Sequence, residues 1–425
     1  MVDSLKSGNL DGQKRPIDDQ PEDASDKLED ASDLPQDLDT PVVSDETREM
    51  MVDAAEDAVG EEEERLYVAS QWQLMWWKFR KHRMAMVGGV ILIIFYLVAI
   101  FCEFVAPYDP SAYFARYKLA PPTGVHVFHE GRLRGPFIYG RIRDRDPETL
   151  AYIYMDDTEV IYPIRFFVRG TPYKMWGLWE TDLHLFGIDA DREEQGIFLF
   201  GADRLGRDIF SRLAYGARIS LSIGLVGVLL SLFLGIFLGG VSGYYGGRID
   251  TIIQRVIEFI RTIPSIPLWM ALSAALPPDW PVVRVYFGIT VILSLIGWTG
   301  MARVVRGRFL ALREEDFVLA ARLSGSNEVR IILRHMAPSF LSHIIASLTL
   351  SIPGAILGET GLSFIGLGLR APAISWGVLL QEAQNVRSLA QAPWVFAPAI
   401  TVVLTVFAFN FLGDGLRDAA DPYAR

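Results

Sequence analysis

Six long apolar runs alternate with polar stretches along the chain, at 84–106, 221–243, 251–276, 283–302, 339–358 and 394–413. Each is about the length a helix needs to cross a bilayer, roughly 20 residues. The pattern predicts an all-α polytopic membrane protein with six transmembrane helices. Between the first two runs lies a polar insertion, residues 107–200. Its alternating stretch at 160–169 (VIYPIRFFVR) and its Pro–Gly punctuation predict a small β-containing extracytoplasmic domain. It is too long for a plain loop. Residues 201–220 set Ile209, Leu213 and Ile219 against Arg212 and Arg218, the pattern of an amphipathic helix lying in the outer interface.

A second polar stretch, 313–338, reads REEDFVLAARLSGSNEVRIILRHMAP and separates the fourth run from the fifth. Phe317, Ala320, Ala321 and Ser324 recur at helical spacing, so small residues line one face. Gly325 breaks that helix, since glycine is costly in a helix interior and cheap at its end. Val329, Ile332 and Leu333, with Arg330 and Arg334, form a second short run that Pro338 ends for want of an amide hydrogen. The expected shape is a helix, a turn and a helix: a knob for a partner's groove.

Charge orients the spans. Trp72, Trp76 and Trp77 precede Lys78, Arg80, Lys81, His82 and Arg83, and Arg303, Arg306 and Arg308 follow the fourth run. Aromatic belts mark interfaces and basic clusters mark the cytoplasm. The knob and both termini are therefore read as cytoplasmic. Gly235, Gly239 and Gly240 in the second run allow close helix packing. The third run holds Pro264 and Pro267, with Arg255, Glu258 and Arg261 near its start. Charges at membrane depth are expensive; here, snorkelling to the inner interface competes with a place on a translocation path or inner gate for Glu258, Pro264 and Pro267. Residues 277–281 form an outer turn, and 359–393 an outer Gly-rich segment with a half-inserted piece.

The net charge of −11 hides a division. Residues 1–64 carry 22 acids and 5 bases, net −17, and the rest carries 29 acids and 35 bases, net +6. Such an acidic segment, poor in aromatics, cannot bury enough surface to offset its ordering entropy, so it is expected to be a disordered tail. A solvated tail without a task and a docking or regulatory role both remain open for it. The chain thus divides into the tail (1–64), an interfacial segment with the first span (65–106), the insertion (107–200) and a core of five spans (201–425). The first apolar run begins too late to be a cleavable signal peptide. The lone cysteine, Cys102, permits no internal disulfide. His126 and His129 lie three apart with no third ligand beside them, and surface histidines explain them better than a metal site.

No G-x-x-x-x-G-K-[ST] loop, H-E-x-x-H, cysteine cluster or G-x-S-x-G occurs, so no catalytic, cofactor or metal residue is assigned. The spans also lack the chain of carboxylates and histidines of a proton-coupled pump. A membrane protein without an energy site but with a cytoplasmic knob points to a driving partner.

Ala320, Ala321, Gly325, Ile332, Arg334, His335 and Pro338 resemble the cytoplasmic EAA loop of ABC importer permeases. The stretches 201–221 (GADRLGRDIFSRLAYGARISL), 242–250 (SGYYGGRID), 358–369 (GETGLSFIGLGL) and 410–422 (NFLGDGLRDAADP) resemble the C-type permease subunit of the oligopeptide/dipeptide/nickel family, in the family's order. The likeness covers about 70–106 and 201–425. One departure is Leu319, where the motif has Glu; another is Ala337, where it has Leu. Glu315 and Asp316, just upstream, could supply the acidic contact.

The resemblance implies a permease that hydrolyses nothing itself. It would pair with a second permease subunit as a heterodimer, above two ABC ATPase subunits that hold ATP and Mg, with an extracytoplasmic solute-binding protein outside, in a bacterial or archaeal inner membrane. Nucleic acid is not an expected partner. Phe317, Ala320, Ala321 and Gly325 would set close approach to an ATPase, and Arg322, Arg330 and Arg334 would pair with its polar groups. Peptides are the first expectation for cargo, with oligosaccharides or nickel as alternatives. A secondary transporter or channel, and a membrane-anchored enzyme, are competing classes; a co-purifying Walker-motif protein discriminates them.

Overall fold

The computed structural model describes residues 71–148, 152–189, 195–336, 341–384 and 390–420. The expected acidic tail, Pro338 and Ala337 lie outside the described residues. α1 (Gln71–Lys81) carries the tryptophan-rich stretch. His82 then opens α2 (Arg83–Ile100): its ring nitrogen accepts from the Ala85 amide at 3.0 Å, which satisfies one of the orphan donors of the new helix. A short turn, α3 (Cys102–Val105), ends this arm.

The insertion folds as an antiparallel meander of β1 (His126–His129), β2 (Arg132–Arg145), β3 (Tyr152–Met175) and β4 (Trp179–Ile188), in sequential order. The long β3 pairs with β2 along its first half and with β4 along its second. Tyr117, Ile138, Ile197 and Phe198 fill the small core beneath it. The Tyr108 hydroxyl accepts from the Ile197 amide, and His184 Nδ1 lies 2.7 Å from the Ala106 carbonyl oxygen, which ties the sheet to the end of the α2–α3 arm. His126 and His129 pack on Phe137 and Tyr139.

α4 (Ile209–Tyr245) corrects the expectation of a separate interfacial helix. The amphipathic stretch and the second apolar run form one continuous helix of 37 residues. The reason is that the arginines find carboxylates instead of water: Arg212 pairs with Asp203 and Glu382, and Arg218 with Glu103. Asp208 caps the start, accepting from the Ser211 amide at 2.8 Å. Along its length α4 packs on α7 (Val282–Leu312) at close range. A Cβ on Gly235 would stand 2.6 Å from Met301 Cβ, and one on Gly239 would stand 2.4 Å from the Ala302 carbonyl oxygen. Gly240 is in ordinary contact with Phe309.

The third apolar run is not one helix. It breaks into α5 (Gly247–Thr262) and α6 (Ser265–Ala274), bent by 85°. Pro264 has no amide to continue α5 and holds Ile263 in an extended conformation, with φ −82° and ψ 126°. α7 runs on through Arg303, Arg306 and Arg308, so these lie within a helix rather than after it. α8 (Asp316–Leu323) and α9 (Glu328–Arg330), which continues as a π-helical turn Ile331–Met336, form the expected helix pair. α10 (Leu341–Phe364) extends past the predicted end of the fifth run. The segment after it contains α11 (Trp376–Ala383), buried against α4, α10 and α12 (Ala397–Ala420). Among the described residues, five helices are long and apolar enough to cross a membrane, or six if the α5–α6 pair is one broken span.

Candidate coupling site and translocation cleft

The helix pair at 316–336 is seated, not free. Val318, Ala321, Ile331 and Met336 are buried with Tyr244 of α4 and Val305 and Phe309 of α7. Ala321, 9% exposed, therefore helps seat α8 instead of lining an outer face. Phe317, Ala320, Leu319, Arg322 and Arg330 face outward, and Leu323 is 90% exposed. Gly325 takes φ +77°, the left-handed conformation that ends a helix without the strain a Cβ would bring. Its amide reaches the Arg322 carbonyl oxygen at 3.0 Å, and the Ser326 amide reaches that of Ala321 at 3.1 Å. Asn327 caps the second helix through the Arg330 amide at 2.8 Å.

Two contacts tie this pair to the foot of α4. The Arg322 guanidinium lies 5.4 Å from the Tyr244 ring centroid, and the Tyr245 hydroxyl donates to the Glu328 carboxylate. Nearby, Arg306 of α7 grips Asp250 of α5 through Nε and Nη2, at 2.5 and 2.6 Å. Arg334 is exposed and His335 half-buried. Leu319 is exposed one turn after Glu315, whose carbonyl oxygen it reaches through its amide.

The second feature is a cleft of about 470 Å³ between α4, α6, α7 and α10. Its walls are small or apolar: Ser231, Gly297, Gly300, Ser347, Ser351 and Gly354 stand beside Trp269 and Met301. Among the described residues, no charged side chain lines it. Sequence reasoning missed it because its residues come from four distant helices, and only their smallness was legible. The predicted path residues lie elsewhere. Glu258, Pro264 and Pro267 are exposed, and Glu258 forms a surface pair with Arg255 at 2.8 Å. The 85° bend at Pro264 does bring α6, with Trp269, to the cleft wall.

At the other end of α4 lie two buried polar knots that sequence reasoning also missed. Arg207 and Arg212 share the carboxylates of Asp203 and Glu382 at 2.6 to 3.0 Å. Burial alone would raise the pKa of Glu382, but the Arg212 hydrogen bonds and the charges of Arg212, Arg207 and Arg204 outweigh it and hold the carboxyl below the usual carboxylate range. In the second knot the fully buried Glu359 of α10 accepts from Ser363, Ser375 and Ser220 at 2.8, 2.8 and 3.1 Å. Each of those hydroxyls in turn accepts a backbone amide, from Leu369, Val378 and Trp376. Their protons are thereby committed to the carboxyl oxygens of Glu359. Glu359 thus pins α11 to both α4 and α10.

Comparison with known proteins agrees with this architecture. Residues 231–425 match the family of the binding-protein-dependent transport system inner membrane component, and 70–122 match the N-terminal TM domain of oligopeptide transport permease C. The chain is 42% identical to the dipeptide transport system permease protein DppC of Bacillus subtilis, over 53% of this chain and 69% of that protein. It is 38% identical to the oligopeptide transport system permease protein OppC of the same organism, over 56% and 76%. It is 31% identical to the glutathione transport system permease protein GsiD of Escherichia coli, over 84% and 91%. The segment joining the two family matches holds the whole β-sheet. Helices of membrane-spanning length, a seated helix pair and these matches lead to one assignment: the chain belongs to the inner-membrane permeases of binding-protein-dependent ABC importers, in the oligopeptide/dipeptide branch, and is a multi-pass membrane protein and a transport subunit rather than an enzyme.

Proposed function

We propose that the chain carries oligopeptides or dipeptides through the 470 Å³ cleft and takes its energy from ATPases docked on α8. The α5–α6 pair serves as one broken span, giving six spans with both termini in the cytoplasm. The working assembly is a heterodimer with a second permease subunit, two ABC ATPase subunits that bind ATP and Mg, and an extracytoplasmic solute-binding protein. In this reading the acidic tail 1–64 is a cytoplasmic appendage, 65–106 an anchor, 107–200 an outer domain and 201–425 the transport core.

The observation that carries the reading is the two-sidedness of the helix pair. Its inner side is locked to α4 and α7, while Phe317, Leu323 and Val329 are left exposed on its outer side. Exposed large apolar side chains on a rigid seat suit a groove in another protein. Phe317, Ala320 and Leu323 would enter that groove, Arg322, Arg330, Arg334 and His335 would meet its polar rim, and Ala321, Gly325 and Pro338 would hold the shape. Glu258, Pro264 and Pro267 would lie at the inner gate, where the bend in the third span faces the second permease subunit. The apolar, uncharged cleft fits peptide side chains and backbone better than a bare nickel ion, which needs nitrogen, sulfur or oxygen ligands; oligosaccharides are the remaining alternative. Uptake by the reconstituted transporter, with its binding protein and labelled peptides, tests the reading. Uptake of sugars or nickel but not of peptides would overturn the substrate, and uptake without any ATPase would overturn the mechanism.

A further inference from the structure

The turn joining β3 to β4 reads Met175-Trp176-Gly177-Leu178-Trp179. Hairpin turns usually carry Gly, Asn, Asp or Ser. This one has a single glycine, four large apolar side chains and no charge. Trp176, Leu178 and Trp179 are 44%, 71% and 60% exposed.

The turn is held in one place. Trp176 packs against Trp179, with ring centroids 5.6 Å apart, and against Phe101, at 5.7 Å. Its indole Nε1 donates to the Ile100 carbonyl oxygen at 2.7 Å. Ile100 is the last residue of α2, a membrane-spanning helix. The polar boundary is marked at the same level by an independent contact: Arg218 donates to the carbonyl oxygens of Ala99 and Ile100 and pairs with Glu103. On one side of that level the outward face of α2 is apolar, with Ile93, Leu97 and Ile100 exposed. On the other side the hairpin turns polar, with Lys174 and Glu180 paired at 3.2 Å. Phe167, in ring contact with Phe104, and Phe166 prolong the exposed apolar surface along β3.

We propose that the β3–β4 turn dips into the lipid leaflet on the sheet's side, seating Trp176, Leu178 and Trp179 among headgroups and upper acyl chains. The insertion domain is thereby moored to the bilayer as well as to α2. Indole rings favour this depth because one edge can hydrogen-bond while the body stays apolar. The occupant is lipid rather than water because the patch continues the exposed face of a membrane span without a step in height. The balanced Lys174–Glu180 pair stands where zwitterionic headgroups would lie.

The test uses the complete transporter, its other subunits free of cysteine, with Leu178→Cys labelled by an environment-sensitive fluorophore. The chain's own Cys102 is buried, and burial pushes its thiol up to about 12, so it does not compete for label. The complex is placed in phosphatidylcholine nanodiscs with and without bromine on the upper acyl carbons. The expected result is blue-shifted emission and a marked loss of intensity in brominated lipid, with neither effect for a label at Ile153→Cys near the other end of β3. Water-like emission at Leu178→Cys would overturn the proposal. So would blue-shifted emission that brominated lipid fails to quench, which would mean that a protein subunit covers the turn.

Discussion

The guanidinium of Arg322 lies over the ring of Tyr244, 5.4 Å from its centroid. One residue belongs to the helix expected to meet an ATPase and the other to the last turn of α4, the longest helix among the described residues. Cation–π contacts at exposed sites contribute about 0.5–1 kcal/mol. Arg322→Ala should therefore leave membrane insertion intact and lower ATP-driven uptake, while Arg322→Lys should retain part of it. Uptake by the two variants at matched expression checks this.

Replacing Gly325 by Val should cost more. Nothing lies within 4 Å of a Cβ there, so the penalty is conformational: φ +77° costs a residue with a Cβ about 1–2 kcal/mol. The turn between α8 and α9 should reshape, and stimulation of ATP hydrolysis by the binding protein should fall while the complex still assembles. Unchanged stimulation would separate this turn from coupling.

The cleft allows a paired test. A Cβ on Gly300 or Gly354 meets nothing within 4 Å, so leucine at either position should fill the cleft and block uptake without loss of thermal stability. Gly239→Ala should behave in the opposite way. Its methyl would meet the Ala302 backbone at 2.4 Å and should destabilise by about 1–3 kcal/mol. Melting in detergent together with uptake separates the two classes.

Glu359→Gln is expected to weaken the attachment of α11. A glutamine amide would point hydrogens at hydroxyls already committed as donors, and a buried mismatch of this kind costs about 1–3 kcal/mol. The measurement is the thermal midpoint, with Glu359→Asp as the comparison that keeps the carboxyl group.

Glu382 sets a pH dependence. Its ionisation in the fold lies below that of an unfolded glutamate. The stabilising contribution is then present above the unfolded value, about 4.3, and is lost as pH falls through the lower folded value. The melting temperature of the native protein should drop below about pH 4 more steeply than that of Glu382→Gln. Parallel curves would show that the Arg207–Arg212 knot adds nothing.

Much of this was legible in the sequence. Hydrophobic runs placed the helices, alternation at 160–169 placed a strand, and Gly325 marked the turn between α8 and α9. Most of the failures share one cause: partners distant in the chain. Arg212 and Arg218 looked like the wet face of a surface helix because Glu382 and Glu103 lie 170 and 115 residues away. The small-residue face of α8 was split by Val318 and Ala321 turning toward Phe309 and Tyr244, which periodicity alone cannot orient. Pro264 was visible, but the size of its bend was not.

The unbroken course of α4 has a mechanical meaning. At 1.5 Å per residue, Arg212 and Tyr244 stand about 48 Å apart on one rod, which exceeds the roughly 30 Å of hydrocarbon it crosses. No proline interrupts it. In the coupling proposed above, a tilt applied at Tyr244 by the α8–α9 pair would also move the salt-bridged knot at the other end of the rod. The lever, more than any relay of side chains, would carry the stroke across the membrane.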